Sequence, residues 1–249
     1  MVMYSTYYDA SGSQNLADKP LVVVGLLSTE EKWLKCEREW DQALEEFEVP
    51  YLHMKEFAPG AGPFESWKDD KPRRAEFLER LIKVLKRRVN IVFQYRLVPE
   101  IFRKLDLEYT LTEEWGGPYA LICGITIRVA DDWFERHYPG DRLKHIVEKG
   151  DAGQGQLIKQ TLGFPNPPLL QTKVDPTTRR HFVPFQAADL LAYEARVNIQ
   201  RHLAGEEQKV RESLSGLRKQ IPHCAHFADE EVLRNVITQQ PAIKPRIAQ

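Results

Sequence analysis

The chain has 249 residues, a net charge of −1 and 42% hydrophobic residues, a balance typical of a folded protein that buries a sizeable core without disulfides. This charge excludes a strongly basic chain, so any binding of nucleic acid requires a local basic surface. No apolar run reaches about 18 residues, so we expect no membrane span. The three cysteines are odd in number and widely spaced, which predicts buried thiols in the cytoplasm and no disulfide framework.

The first third of the chain is predicted to form a hairpin followed by two amphipathic helices. Tyr4–Tyr8 is rich in β-formers and ends at a turn cluster. Leu21–Leu27 is a continuous apolar run, suited to a strand covered on both faces. Ser28 and Glu31 have the spacing of a capping box for the next helix. A second helix is predicted from about Pro72 to Arg88.

Beyond the second helix, predicted strands and helices alternate. Strands are predicted at Ile91–Val98, Leu143–Glu148 and Leu169–Val174, and helices at Pro118 to about Glu135, Gln156–Leu162 and Pro184 to about Leu203. This alternation favours a mixed α/β sheet layered with helices. We expect one domain over residues 1–204 and a helical appendage over residues 205–249. The appendage has an apolar stripe from Val210 to Ile221 for one helix, and Asp229 can cap another.

The helix that begins at Pro184 carries an aspartate in its apolar middle. Asp189 lies beyond the first turn, so it cannot cap the helix, and its sequence neighbours are alanine and leucine. An ionised carboxylate left unpaired there would be strongly unfavourable. A buried arginine is one partner that could compensate this charge, and a bound cation is the other.

Three further carboxylates are predicted at the ends of strands, where sites of open α/β sheets gather. They are Asp9, Glu148 and Asp151. Taken singly, each could cap a turn or be a solvated loop charge. Together with Asp189 they suit a hard cation that prefers oxygen ligands, Mg²⁺ or Mn²⁺. Zinc is less favoured, because the "HCAH" stretch His223–His226 has no second ligand pair.

Four stretches of the chain resemble the bacterial domain-of-unknown-function 3800 family. They are "YYDASGS" near the N-terminus, "HMKEF" at His53–Phe57, "VEKGD" at Val147–Asp151 and "PFQAADLLAYE" at Pro184–Glu194. That family looks like a branch of the ribonuclease H-like superfamily. The resemblance implies a central mixed five-stranded sheet flanked by helices. It covers roughly the first four-fifths of the chain.

The resemblance also implies a metal-dependent carboxylate site built from Asp9, Glu148 and Asp189, with Asp151 as a possible additional ligand. Family members often have glutamate where this chain has Ala10. Residues 9 and 10 of a strand face opposite ways, so Ala10 need not damage a site built on Asp9.

Such a site predicts a Mg²⁺- or Mn²⁺-dependent phosphodiesterase that acts on DNA or RNA. Two ions about 3.5–4 Å apart would clamp the phosphodiester, with Asp9 bridging them. His53 is a candidate catalytic contact or, equally, a structural histidine. Glu56, Lys173 and Arg180 are candidate substrate-binding residues. Two other functions stay open: a non-catalytic binding or interaction module, and phosphoryl chemistry on a small nucleotide.

Overall fold

A six-stranded mixed sheet forms the centre of the computed structural model, which describes residues 1–12, 20–206, 221–239 and 243–246. The strands are β1 (Met3–Ser11), β2 (Leu21–Thr29), β3 (Ile91–Leu97), β4 (Arg142–Glu148), β5 (Leu169–Gln171) and β6 (His223–Ala228). Their order across the sheet is β5-β4-β1-β2-β3-β6. Only β2 runs antiparallel to its neighbours, and the other described pairs are parallel.

Helices cover both faces of this sheet. In chain order they are α1 (Glu30–Glu46), α2 (Met54–Phe57), a 3₁₀ helix (Gly62–Trp67), α3 (Lys71–Arg88), α4 (Pro99–Glu108), α5 (Leu111–Trp115), α6 (Pro118–His137), α7 (Gln154–Thr161), α8 (Val183–Leu203) and α9 (Glu230–Thr238). Among these described elements, α6 and α8 are the longest that pack directly on the sheet, and they lie on opposite faces. No helix in the described ranges is long and apolar enough to cross a membrane.

The central strand β2 explains the two-layered core. Val22, Val24 and Leu26 point into the cluster formed with α1, α3 and α8, whereas Leu21 and Val23 point into the cluster formed with α6. A strand buried on both faces needs apolar residues at every position, which is what the continuous run provides. The prediction for this segment is therefore confirmed.

The predicted mixed sheet flanked by helices is confirmed, with six strands instead of five. The additional strand is β6, which contains the "HCAH" stretch and pairs in parallel with β3. Its mixed polar and apolar residues lack the alternation that marks a strand, so the pairing is not visible in the sequence. The helix predicted over Val210–Ile221 lies outside the described residues except at Ile221, whereas Asp229 caps α9 as predicted.

The start of α1 corrects the predicted capping box. The cap is Thr29, whose Oγ1 accepts the N–H of Lys32 at 3.2 Å. Ser28 instead donates its hydroxyl to the carbonyl oxygen of Arg88, at the end of α3. Because Ser28 is used in this tertiary contact, the cap of α1 lies one residue later than predicted. Cys36 and Cys123 are buried and unpaired, as predicted.

Candidate functional site

Parallel pairing of β1, β4 and β5 brings polar residues from distant parts of the sequence to one edge of the sheet. Tyr8 pairs with Val147, so Asp9 and Glu148 come next on adjacent strands. Glu148 in turn pairs with Gln171 of β5, and Lys173 follows two residues later. Lys173 lies in a bend just beyond the end of β5. The register therefore delivers Asp9, Glu148 and Lys173 to neighbouring positions.

Helix α8 adds the fourth charged group of this site. Lys173 Nζ lies 3.3 Å from Glu148 Oε2, 3.5 Å from Asp9 Oδ2 and 3.7 Å from Asp189 Oδ2. The four side chains are between 7% and 20% exposed. We call Asp9, Glu148 and Asp189 the carboxylate cluster. A single ammonium group thus serves three largely buried carboxylates.

The charges of this site are only partly balanced. Burial raises the pKa of Asp9 well above its usual range, Lys173 opposes that rise, and Glu148 and Asp189 add to it. Burial alone would lower the pKa of Lys173, but Asp9, Asp189 and Glu148 together raise it. The ammonium is therefore held in its charged form, whereas ionisation of Asp9 is disfavoured.

Asp151 lies beside the carboxylate cluster, three residues after Glu148. Burial of its carboxyl group and the neighbouring charge of Glu148 raise its pKa to about 6, against the effect of Lys173 and of a hydrogen bond from Tyr119. The residue as a whole is exposed, so Asp151 lies at the rim of the site. Asp151 thus adds a fourth carboxyl group near the same site.

Two polar residues of α8 hold the irregular segment that precedes α2. Gln186 Oε1 accepts the N–H of Leu52 at 2.7 Å, and Asp189 Oδ2 accepts the N–H of Met54 at 2.8 Å. Residues three apart on a helix lie on one face, so Gln186 and Asp189 present a matched pair of acceptors to this segment. The buried charge of Asp189 is thereby satisfied partly by a backbone donor and partly by Lys173.

His53 and Glu56 lie near His181, a histidine that no sequence motif marks. His181 stacks on Tyr51 with ring centroids 4.0 Å apart. Burial lowers the pKa of His181, with further lowering by Lys173 and His53. Glu56 Oε2 and His181 Nδ1 are both buried and have no hydrogen-bond partner among the described residues. A polar patch therefore adjoins the carboxylate cluster.

The loop between β5 and α8 carries both Lys173 and His181. Its two arms are joined by the hydrogen bond from Phe182 N to the carbonyl oxygen of Lys173, 2.9 Å, and by a bridge between Val174 and His181. Arg180, near the tip, forms an ion pair with Asp41 of α1. The loop is thus a hairpin fixed at both arms.

The structure brings together most of the predicted site residues, but not all of them. Asp9, Glu148 and Asp189 meet at Lys173 Nζ. Asp151 lies near enough to Glu148 and Lys173 for their charges to act on it, and His53 and Glu56 lie near His181. Lys173 lies inside the carboxylate cluster and not at its rim, and Arg180 is engaged by Asp41. Gln186, Tyr51 and His181 are not found by the sequence analysis. Of these, only Gln186 carried a signal, as a polar residue in an apolar helix.

The ligand chemistry of the carboxylate cluster suits a hard divalent cation, because it consists of carboxylate oxygens alone. Its present spacing suits an ammonium: the oxygens lie 3.3–3.7 Å from Nζ, whereas Mg²⁺ ligands lie at about 2.0–2.1 Å. Within the described ranges, no group of three His, Cys, Asp or Glu side chains is spaced to hold an ion. The carboxylate cluster therefore matches a divalent cation in ligand type, whereas its present spacing matches the ammonium of Lys173.

No family model matches the chain, so the resemblance to the domain-of-unknown-function 3800 family stays a prediction. No curated protein matches it either. Among solved structures it is similar to Bst ribonuclease HIII in complex with Mn²⁺, with a TM-score of 0.46 and 11% identity over 96% of this chain and 71% of that one. It is also similar to ribonuclease HII of Archaeoglobus fulgidus in its complex with PCNA, with a TM-score of 0.43 and 12% identity over 96% and 88%. For ribonuclease H2 of Pyrococcus horikoshii the TM-score is 0.41, with 13% identity over 82% and 78%.

Proposed function

We propose that this chain is a divalent-metal-dependent phosphodiesterase that acts on DNA or RNA. Asp9, Glu148 and Asp189 would hold Mg²⁺ or Mn²⁺, with Asp151 as an additional ligand. The observation that supports the proposal is the convergence of three carboxylates, from two strands and a helix, on one ammonium group. A cluster of like charges that is largely buried is unfavourable in itself, and such arrangements recur where a cation is used.

Divalent ions, when bound, supply a Lewis acid for the phosphoryl oxygens and lower the pKa of water. The chain itself holds the carboxylate ligands in position. Asp9 and Glu148 are fixed by the register of two neighbouring strands, and Asp189 is fixed by its hydrogen bond from Met54 N. Rigid supports of this kind hold ligands in a productive geometry.

Contact with a nucleic acid backbone would use exposed cations close to the carboxylate cluster. Lys55 follows Met54 on α2, Lys149 follows Glu148 at the end of β4, and Arg179 lies near the tip of the hairpin loop, all three exposed. Lysine and arginine at such positions contact phosphates without reading sequence. They would supply the local basic surface that a chain of net charge −1 requires for this function.

The experiment is a nuclease assay on single- and double-stranded DNA and RNA, with Mg²⁺, Mn²⁺ or EDTA. We expect metal-dependent cleavage by the wild type and a loss of at least about a hundredfold in Asp189→Asn, since even outer-shell partners of metal sites contribute about 10- to 100-fold. Asp132→Asn, which removes an exposed carboxylate of α6, is the matched control and should cleave like the wild type. Equal activity in wild type and Asp189→Asn would contradict the assignment.

A second candidate function, a non-catalytic binding module, is favoured by the ammonium of Lys173. This group already occupies the centre of the carboxylate cluster, as expected of a site that keeps its shape without a metal. The two candidates differ in one measurement. Calorimetry of the wild type with Mn²⁺ should show binding if the chain is an enzyme of this kind, and no binding together with no cleavage would favour the module.

A further inference from the structure

Lys173 has more contacts with the carboxylate cluster than a surface ion pair would have. Its Nζ is within 3.7 Å of an oxygen of each of the three carboxylates, and its side chain is 15% exposed. The three carboxylates raise the pKa of Lys173 by more than burial of the ammonium lowers it. Lys173 therefore holds the position that any other cation bound by these three carboxylates would need.

The backbone around Lys173 is fixed, whereas the ion pairs of its ammonium with described residues are all made to the carboxylate cluster. The hydrogen bond from Phe182 N and the bridge between Val174 and His181 anchor the loop on both sides of Lys173. A lysine side chain has four rotatable carbons and a compact charge, so it can leave a site while its backbone stays in place. Solvent reaches part of the Lys173 side chain, which is 15% exposed.

We propose that Lys173 is an internal counter-cation of the carboxylate cluster, and that a divalent cation binds there by exchange with its ammonium. The proposal rests on the proposed function, since it requires that the carboxylates accept a divalent ion. It goes further, because the observed affinity for the divalent ion then equals its own binding free energy minus that of the ammonium it displaces. The metal-free site stays compact because the ammonium occupies it, and the same contact weakens binding of the metal.

The first test measures the Kd of Mn²⁺ by calorimetry for the wild type, Lys173→Met and Lys159→Met. We expect Lys173→Met to bind Mn²⁺ at least about tenfold more tightly, because one charge at this distance shifts the proton equilibrium of a carboxylate by about one to three powers of ten. Lys159 is exposed on α7, so its variant makes the same change in net charge and should bind like the wild type.

The outcomes of this test separate the two proposals. Equal Kd values in the wild type and Lys173→Met would overturn the exchange and leave the metal site intact. No binding in either protein would overturn the metal site and the exchange together. A tighter Kd in both lysine variants would show a general effect of net charge and would also overturn the exchange.

The second test uses the wild type alone, so it does not depend on the folding of a variant. An amine-acylating reagent is applied with EDTA or with saturating Mn²⁺, and labelled lysines are identified by peptide mass spectrometry. We expect labelling of Lys173 to rise several-fold with Mn²⁺, because displacement frees its amine, and labelling of Lys159 to stay unchanged. Unchanged labelling of Lys173 in protein that calorimetry shows to bind Mn²⁺ would overturn the exchange.

Discussion

The carboxylate of Asp189 has two kinds of partner, the N–H of Met54 and the ammonium of Lys173. The sequence predicts that this charge needs a buried arginine or a bound cation. The described partner is a lysine that arrives from a loop 16 positions earlier in the chain. A lysine differs from an arginine here because it offers a mobile point charge and no fixed planar set of donors. The site is therefore held together by a partner that can be exchanged.

Asp151 allows a test of the electrostatics at the scale of one residue. Its pKa of about 6 in the folded chain exceeds the ordinary value of 3.8, so the folded state binds this proton more tightly than the unfolded state. The unfolding free energy therefore falls as ionisation proceeds, over the interval from the lower to the higher pKa. Below that interval Asp151 is protonated in both states, and its ionisation has no effect on stability.

We expect Asp151→Asn to gain stability relative to the wild type as the pH rises from about 4 to about 6, with no further gain above that interval. The measurement is urea unfolding of both proteins in EDTA at a series of pH values. A difference between the two proteins that does not change with pH would contradict the raised pKa of Asp151. If the stability advantage of Asp151→Asn shrank as the pH rose, the pKa of Asp151 would be lowered in the folded chain and not raised.

At the scale of elements, the contact between β1 and β2 depends on a glycine. Gly25 pairs with Tyr8, and the ring of Tyr8 lies over it, so that a Cβ at position 25 would come within 2.8 Å of Tyr8 Cδ1. The ring cannot easily shift, because its hydroxyl is hydrogen-bonded to His145 Nδ1 at 2.8 Å. His145 Nε2 is bound in turn to Asp131 at 3.0 Å. The packing of the Tyr8 ring against β2 thus requires a residue without a side chain at position 25.

Gly25→Ala should destabilise the chain by about 1–3 kcal/mol, the usual cost of overpacking a well-packed core. Gly163→Ala is the matched control, since a Cβ there meets no atom within 4 Å and its stability should stay near that of the wild type. Chemical unfolding of the three proteins measures both effects. If the two alanine variants were equally stable, the close packing of Tyr8 on β2 would be wrong.

The elements that the sequence predicts best are those whose signals are local. Pro118 and Pro184 lie in the first turns of α6 and α8, where proline needs no N–H partner, and both helices begin within one residue of the prediction. β6 and the position of Lys173 depend on the register of strands that lie more than 20 residues apart in the chain. Such pairings leave no periodic pattern in the segment itself, so they could not be predicted from it.

At the scale of the whole molecule, the C-terminal segment belongs to the same core as the rest. β6 pairs with β3 from Val92 to Leu97, and Leu233 and Ile237 of α9 are buried in the cluster with α6. Arg234 of α9 also binds Glu108 of α4 with both terminal nitrogens. The predicted boundary at residue 204 therefore separates parts that share apolar contacts.

A chain that ends at Glu206 should unfold at a lower temperature than the full chain and should tend to associate. Its loss of β6 and α9 uncovers the edge of β3 and an apolar surface beneath α9, and open strand edges promote pairing between molecules. Thermal unfolding and light scattering of the two chains measure both effects. An equally stable, monomeric shorter chain would instead support an independent domain over residues 1–204.

The parallel pairing of β1 with β4 also bears on how the chain folds. Asp9 and Glu148 become neighbours only after two strands about 140 positions apart have paired. Closing so long a loop is slow in folding, because its entropy is lost before the contacts it permits are gained. A partly folded chain with local helices alone would have no cation site. Binding of Mn²⁺ could then serve as a kinetic probe that reports the arrival of the complete native topology.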